Sequence, residues 1–211
     1  MTSPVTRRRR DAIRSIASAA ALAALPAAFL AGCDPVARPA FRAIDITGAD
    51  YARGFELPDA EGRTRRLSDF AGQVVVVFFG FTQCPDVCPT TLAEVAQARQ
   101  LLGPEGARVQ AVFITVDPAR DTPEVLSAYL RNFDPAFVGL RGSDEQTAAV
   151  AREFKVYYKK VPGRTESSYT MDHTAASYVF DPRGRIRLYA RYGSGAQALA
   201  EDIRLLLREA G

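Results

Sequence analysis

The segment Phe81-Thr82-Gln83-Cys84-Pro85-Asp86-Val87-Cys88-Pro89 holds two cysteines with three residues between them, and the chain has a single histidine, His173. Thiols and an imidazole are groups suited to redox exchange and to metal binding. A close cysteine pair can exchange a disulfide, or its thiolates can converge on one metal ion. Soft thiolates select Cu(I), zinc or iron–sulfur clusters. Two thiolates are too few for a structural zinc site, which takes four protein ligands, so a third ligand is to be sought. The one imidazole in the chain lies in Met171-Asp172-His173-Thr174.

The elements around these residues decide whether they meet. Val74-Val75-Val76-Val77-Phe78-Phe79 is a continuous β-branched and aromatic run, which predicts a strand buried on both faces. Gly80 breaks it and the cysteine segment follows. Leu92, Val95, Ala98 and Leu102 then recur at helical spacing until Gly103-Pro104. Residues 109–116 read as a second buried strand, which makes a βαβ unit with parallel strands. The cysteines therefore fall outside the carboxyl end of a strand, at a helix N-terminus, where ligands sit in open α/β sheets and where thiolate is favoured over thiol.

Asp121-Thr122-Pro123-Glu124 has the form of a capping box with an early proline. Ser143 and Gln146 open another helix, ending near Phe154. Residues 177–180 read as a strand, Asp181-Pro182-Arg183-Gly184 as a turn, residues 186–191 as the returning strand, and Leu199, Ile203 and Leu206 as the buried face of a last helix. A βαβ unit followed by ββα is the thioredoxin arrangement: an α/β fold with a central mixed sheet flanked by helices, here with an N-terminal extension. In that topology the strand 177–180 runs antiparallel beside Val74–Phe79. His173, just before it, is thereby brought to the rim that carries the cysteines.

The chain of 211 residues holds one domain and a leader. Five basic residues (Arg7, Arg8, Arg9, Arg10 and Arg14) and one acid, Asp11, precede residue 33, leaving 22 basic against 23 acidic residues beyond it. The formal charge of +3 thus belongs to the leader, and no cationic excess remains for nucleic acid. The arginines and the apolar run from Ile16 to Ala31 read as a secretion signal, too short for a spanning helix. It ends in Leu30-Ala31-Gly32-Cys33, which resembles a lipobox and implies lipidation of Cys33 after cleavage. The expected organisation is a signal peptide over 1–32, a membrane-proximal tether over 33–50, and the folded domain over 51–211. The chain is then anchored by lipid at the bacterial inner membrane, with the domain facing the periplasm or cell exterior.

Three segments, FTQCPDVCP, VDPARDTP and DHTAASYVFDPRG, occur in order at separated positions. Together they resemble the Sco/SenC family, and the resemblance runs from Phe55 to the C-terminus. It implies a thioredoxin-like protein that binds Cu(I) or Cu(II) through Cys84, Cys88 and His173. It also implies a role as copper chaperone in assembling the CuA centre of cytochrome c oxidase. The expected partners are the apo copper subunit of that oxidase and other periplasmic copper carriers. Asp117 and Asp172 match motif positions too, and read as a loop cap or a hydrogen-bond partner rather than as ligands.

Two other readings of the same thiols stay open. Cys84 and Cys88 could be the redox pair of a thiol–disulfide oxidoreductase that reduces the cysteines of an apo copper site. Cys88-Pro89-Thr90 also resembles a peroxiredoxin's peroxidatic segment, although Pro85 stands where that pattern has threonine and Cys84 is left without a role.

Overall fold

The computed structural model describes residues 40–165 and 168–210. The signal peptide, Cys33 and the tether up to residue 39 lie outside the described residues. The valine-rich run forms β4 (Val74–Gly80), and every one of its residues is buried. Beside it lies β5 (Val109–Thr115), parallel and equally buried, in a register that pairs Val74 with Val109 and Gly80 with Thr115. Having no polar face, neither strand could sit at a sheet edge, so this pair forms the centre.

On the other side of β4 lies β9 (Ala176–Phe180), antiparallel, with Phe78 opposite Ser177. Then come β10 (Ile186–Arg191) and β1 (Ile44–Asp45), while β6 (Val138–Leu140) flanks β5. The six-stranded order is β1-β10-β9-β4-β5-β6. The β9–β10 turn closes with the Gly184 N–H donating to the Asp181 carbonyl at 2.8 Å, and Gly184 takes the positive φ that the turn requires. Two short antiparallel ribbons stand apart from this sheet: β2 (Glu56–Pro58) with β3 (Thr64–Arg66), and β7 (Tyr158–Pro162) with β8 (Tyr169–His173).

Among the described residues four α-helices flank the sheet: α1 (Val87–Leu101), α2 (Pro123–Arg131), α3 (Asp144–Glu153) and α4 (Ala196–Ala210). Helix α1 packs against α4, and α2 against β6. Ser143 and Gln146 form the reciprocal capping box that opens α3.

Two expectations need correction. Residues 40 to 50 are not tether: the backbone N–H groups of Arg42 and Ala43 donate to Asp202 of α4 at 2.7 and 2.8 Å, and Ile44–Asp45 adds an edge strand to β10. The cap of α2 is Thr122, whose hydroxyl accepts from Val125 N–H, and not Asp121, which is turned inward. His173 lies just before β9, as expected, and is the last residue of a further strand, β8.

Candidate metal centre

The chain leaves β4 at Gly80 and turns at once, the Cys84 N–H donating to the Phe81 carbonyl at 3.2 Å. Helix α1 then begins at Val87, so Cys88 sits in its first turn. Pro89 also lies in that turn, where its missing N–H costs nothing. Cys84 is half-buried, Cys88 is fully buried, and their sulfurs are not bonded to each other. The Cys88 N–H points at the Cys84 sulfur, 3.4 Å away.

His173 reaches the pair from the ribbon. Alternation along β8 puts Tyr169, Met171 and His173 on one face, with Met171 buried, and sends Thr170 and Asp172 to the other. The His173 Nε2 stands 3.5 Å from the Cys88 sulfur. Its Nδ1 lies 3.1 Å from the Thr174 carbonyl, which can only accept, so the proton is assigned to Nδ1 and the Nε2 lone pair faces the sulfurs. The ring is held edge-on between Phe78 and Phe81, with centroids 5.9 and 5.8 Å away.

The Cys84 and Cys88 sulfurs and a His173 nitrogen all lie within 4.8 Å of one another. A metal ion bound to sulfur and nitrogen at about 2.0–2.3 Å sets its donors up to roughly 4.6 Å apart, so these three groups can share one ion with only small adjustment. The Cys88 thiol, donating to the Cys84 sulfur, brings the Cys84 pKa down to about 4, with the Asp86 and Cys88 N–H groups acting in the same sense. The same contact raises the Cys88 thiol, as does its burial. One thiolate is thus ready at neutral pH, and the second loses its proton when a cation arrives.

Around the donors lies a supporting shell. Asp121, completely buried, accepts from the Thr82 N–H at 3.1 Å, from the Thr82 hydroxyl at 2.6 Å and from the Thr115 hydroxyl at 2.5 Å. It ties the start of the cysteine loop to the end of β5. Burial pushes its carboxyl up, against the pull of those donors. Asp117 accepts from the Tyr169 hydroxyl at 2.8 Å and from Arg120, which fits the hydrogen-bond role read for it. Asp172 is exposed on the far face of β8 and is not in the donor cluster. The sequence reading passed over Thr82, Arg120 and Tyr169. The first two sit inside motifs already quoted, FTQCPDVCP and VDPARDTP, whereas Tyr169 carried no signal of its own.

The SCO1/SenC family profile matches residues 45–208. The chain belongs to the SCO1/SenC family. It is 41% identical to the bovine mitochondrial SCO2 homologue over 152 residues, which is 71% of this chain and 57% of that protein. It spans less than two thirds of the mammalian mitochondrial relatives, 57 to 60% of their length. Among solved structures, Bradyrhizobium japonicum ScoI with copper bound matches at 39% identity and a TM-score of 0.65, over 72% of this chain and 96% of that one. A SCO1/SenC family lipoprotein from Bacillus anthracis matches at 27% identity and a TM-score of 0.61, over 75% and 94%. These SCO1/SenC relatives bear out the thioredoxin-like mixed sheet expected from the sequence. Among the described residues no helix is long and apolar enough to cross a membrane.

Proposed function

We propose that this chain is a copper carrier that takes Cu(I) or Cu(II) on Cys84, Cys88 and His173 and hands it to the apo copper subunit of cytochrome c oxidase during CuA assembly. The observation that carries this reading is the convergence of two thiols and the chain's one imidazole within 4.8 Å. Copper in the related ScoI supports the choice of ion. The donor set suits such cargo. Thiolates satisfy Cu(I), and the borderline nitrogen lets Cu(II) bind as well. The site lies at the sheet rim, with Cys84 and His173 only partly covered, so an acceptor protein can approach it. The family resemblance supplies the destination, and other periplasmic copper carriers are the natural donors.

The half-buried Cys84 thiolate beside an unbonded Cys88 also favours a second reading, thiol–disulfide exchange with the cysteines of the acceptor site. His173→Ala separates the two. On the carrier reading it loses most Cu(II) affinity, weakens Cu(I) less, keeps a reducible Cys84–Cys88 disulfide, and fails to restore oxidase assembly in cells lacking the protein. Assembly that survives the loss of Cu(II) binding gives the function to the thiols alone.

Lipidation of Cys33, with the domain held in the periplasm at the inner membrane, completes the proposal. The lipoprotein relative supports it. Mass spectrometry of the membrane-bound protein should find a lipid-modified Cys33 at the N-terminus, and Cys33→Ala should leave an unprocessed leader. An intact leader on the wild-type protein would refute it.

A further inference from the structure

The three donors come from two separate pieces of chain, the β4–α1 loop and the β7–β8 ribbon, and the ribbon is not a member of the central sheet. β9, entered three residues after His173, brings the end of the ribbon to the β4 rim, but the rest of the ribbon is held to the cysteine loop by other contacts. One side chain touches both pieces. Arg120, from the loop after β5, donates from Nη1 to the Gln83 side-chain oxygen at 2.9 Å and to the Tyr169 carbonyl at 2.9 Å, and from Nε to Asp117. Gln83 is the residue immediately before Cys84, and Tyr169 is the first residue of the strand that ends in His173.

The guanidinium also lies over the Tyr169 ring, 3.6 Å from its centroid, and 5.7 Å from that of Phe81, one of the two rings that hold the imidazole. Tyr169 closes the triangle by donating its hydroxyl to Asp117 at 2.8 Å. Arg120 is four-fifths covered and its Asp117 partner is buried, so these contacts are shielded from competing water. Lys160 Nζ also lies over the Tyr169 ring, 3.8 Å from its centroid, but a lysine is a point charge without a planar fork and cannot serve three partners at fixed angles as Arg120 does.

We infer that Arg120 is the positioning residue of the metal centre, the side chain that locks the histidine-bearing ribbon to the cysteine loop. It touches none of the three donor atoms. It sets whether His173 stands close enough to share an ion with the thiolates, and so acts on the nitrogen-dependent Cu(II) state more than on the thiolate-held Cu(I) state. This part rests on the copper reading above. The locking itself does not.

The test has two arms. The first uses the full metal-free, reduced protein. His173 is the only histidine, so its ring protons give unambiguous NMR signals, displaced by the ring currents of Phe78 and Phe81. In Arg120→Met these signals move toward free-histidine values. Amide exchange at Tyr169–His173 rises at least ~10-fold, while that of the β4 amides does not change. Arg120→Lys behaves as Arg120→Met, whereas loss of a charge alone would be rescued by lysine. Tyr169→Leu removes the ring under the guanidinium and the hydroxyl on Asp117, leaving the backbone carbonyl contact, and shifts the same readouts in the same direction, which keeps the test decisive if Arg120→Met does not fold. Unshifted His173 signals and unchanged ribbon exchange in the folded variants would overturn the inference.

The second arm adds copper. Arg120→Met loses nitrogen coupling in the Cu(II) electron paramagnetic resonance spectrum and ~10-fold or more in Cu(II) affinity, with Cu(I) retained. A wild-type spectrum and affinity in that variant would overturn the claimed effect on Cu(II). If wild-type Cu(II) binding is itself indifferent to His173→Ala, the copper reading falls, and the first arm still decides the role of Arg120.

Discussion

A Cβ placed on Gly80 would stand 2.7 Å from the Cys88 sulfur, and 2.9 Å from the Phe78 and Phe113 rings. The last residue of β4 is thus a glycine because a donor atom of the metal centre occupies the space a side chain would need. Gly80→Ala forces Cys88 and two core rings to move together. It should cost about 1–3 kcal/mol of stability and weaken Cu(I) binding. Urea unfolding and a competitive Cu(I) titration check it. A variant as stable and as tight as the wild type would show that the sulfur is not packed there.

Asp121 holds the first turn of the cysteine loop through Thr82. Asp121→Ala leaves a buried N–H and two hydroxyls without their acceptor, at a cost of about 2–4 kcal/mol. Denaturant unfolding measures the loss. The Cys84–Cys88 disulfide should also change its reduction potential, because the loop that presents Cys84 is released. An unchanged potential in a destabilised variant would confine Asp121 to the fold.

Cys84 should react first, and at low pH. Its pKa lies below the ordinary thiol range, so the thiolate, and any stability its contacts give, is fully present above that range. It is lost as pH falls through about 4. Iodoacetamide should modify Cys84 at a rate that is nearly flat from pH 8 to about 5, whereas an unperturbed thiol slows roughly tenfold per unit below about 8.5. Cys88→Ala removes the thiol that holds the pKa down and should restore the steep profile. A steep profile in the wild-type protein would contradict the assigned hydrogen bond.

Asp202 is buried and accepts the N–H groups of both Arg42 and Ala43. Asp202→Ala should cost about 1–3 kcal/mol and release the N-terminal segment up to the β1 edge. Amide exchange at Arg42–Ile46 then accelerates while that of β4 holds. The metal affinities should not change, because the segment lies at the sheet edge far from the β4 rim in strand order.

The parts of the fold legible in the sequence are those with the strongest burial patterns. The central strands are unbroken apolar runs, and the capping residues of α3 and the β9–β10 turn carry their own local chemistry. What escaped reading lacks such patterns. β1 is two residues long, with Ile44 exposed, so no periodicity distinguishes it from tether. The β7–β8 ribbon carries lysines, a proline and an aspartate along its length and buries only Met171, so it shows no hydrophobic face of its own. Asp121 was misread because an aspartate three residues before a glutamate satisfies the capping pattern. Only the tertiary demand of Thr82 and Thr115 turns it inward and leaves the cap to Thr122. The clustering of Cys84, Cys88 and His173 was legible all the same. The cysteines are local, and placing the only imidazole required nothing more than the antiparallel neighbour of β4.

The donors lie 85 residues apart in sequence and meet only where β9, entered just after His173, docks against β4. A chain crossing a membrane unfolded, N-terminus first, exposes its cysteine pair long before its imidazole. Until the ninth strand is in place the growing polypeptide offers two thiols on a flexible loop and no nitrogen donor beside them. On the proposed copper reading, Cu(II) loading then requires β9 in place, and a truncation anywhere before residue 176 should produce a polypeptide that captures only the reduced ion.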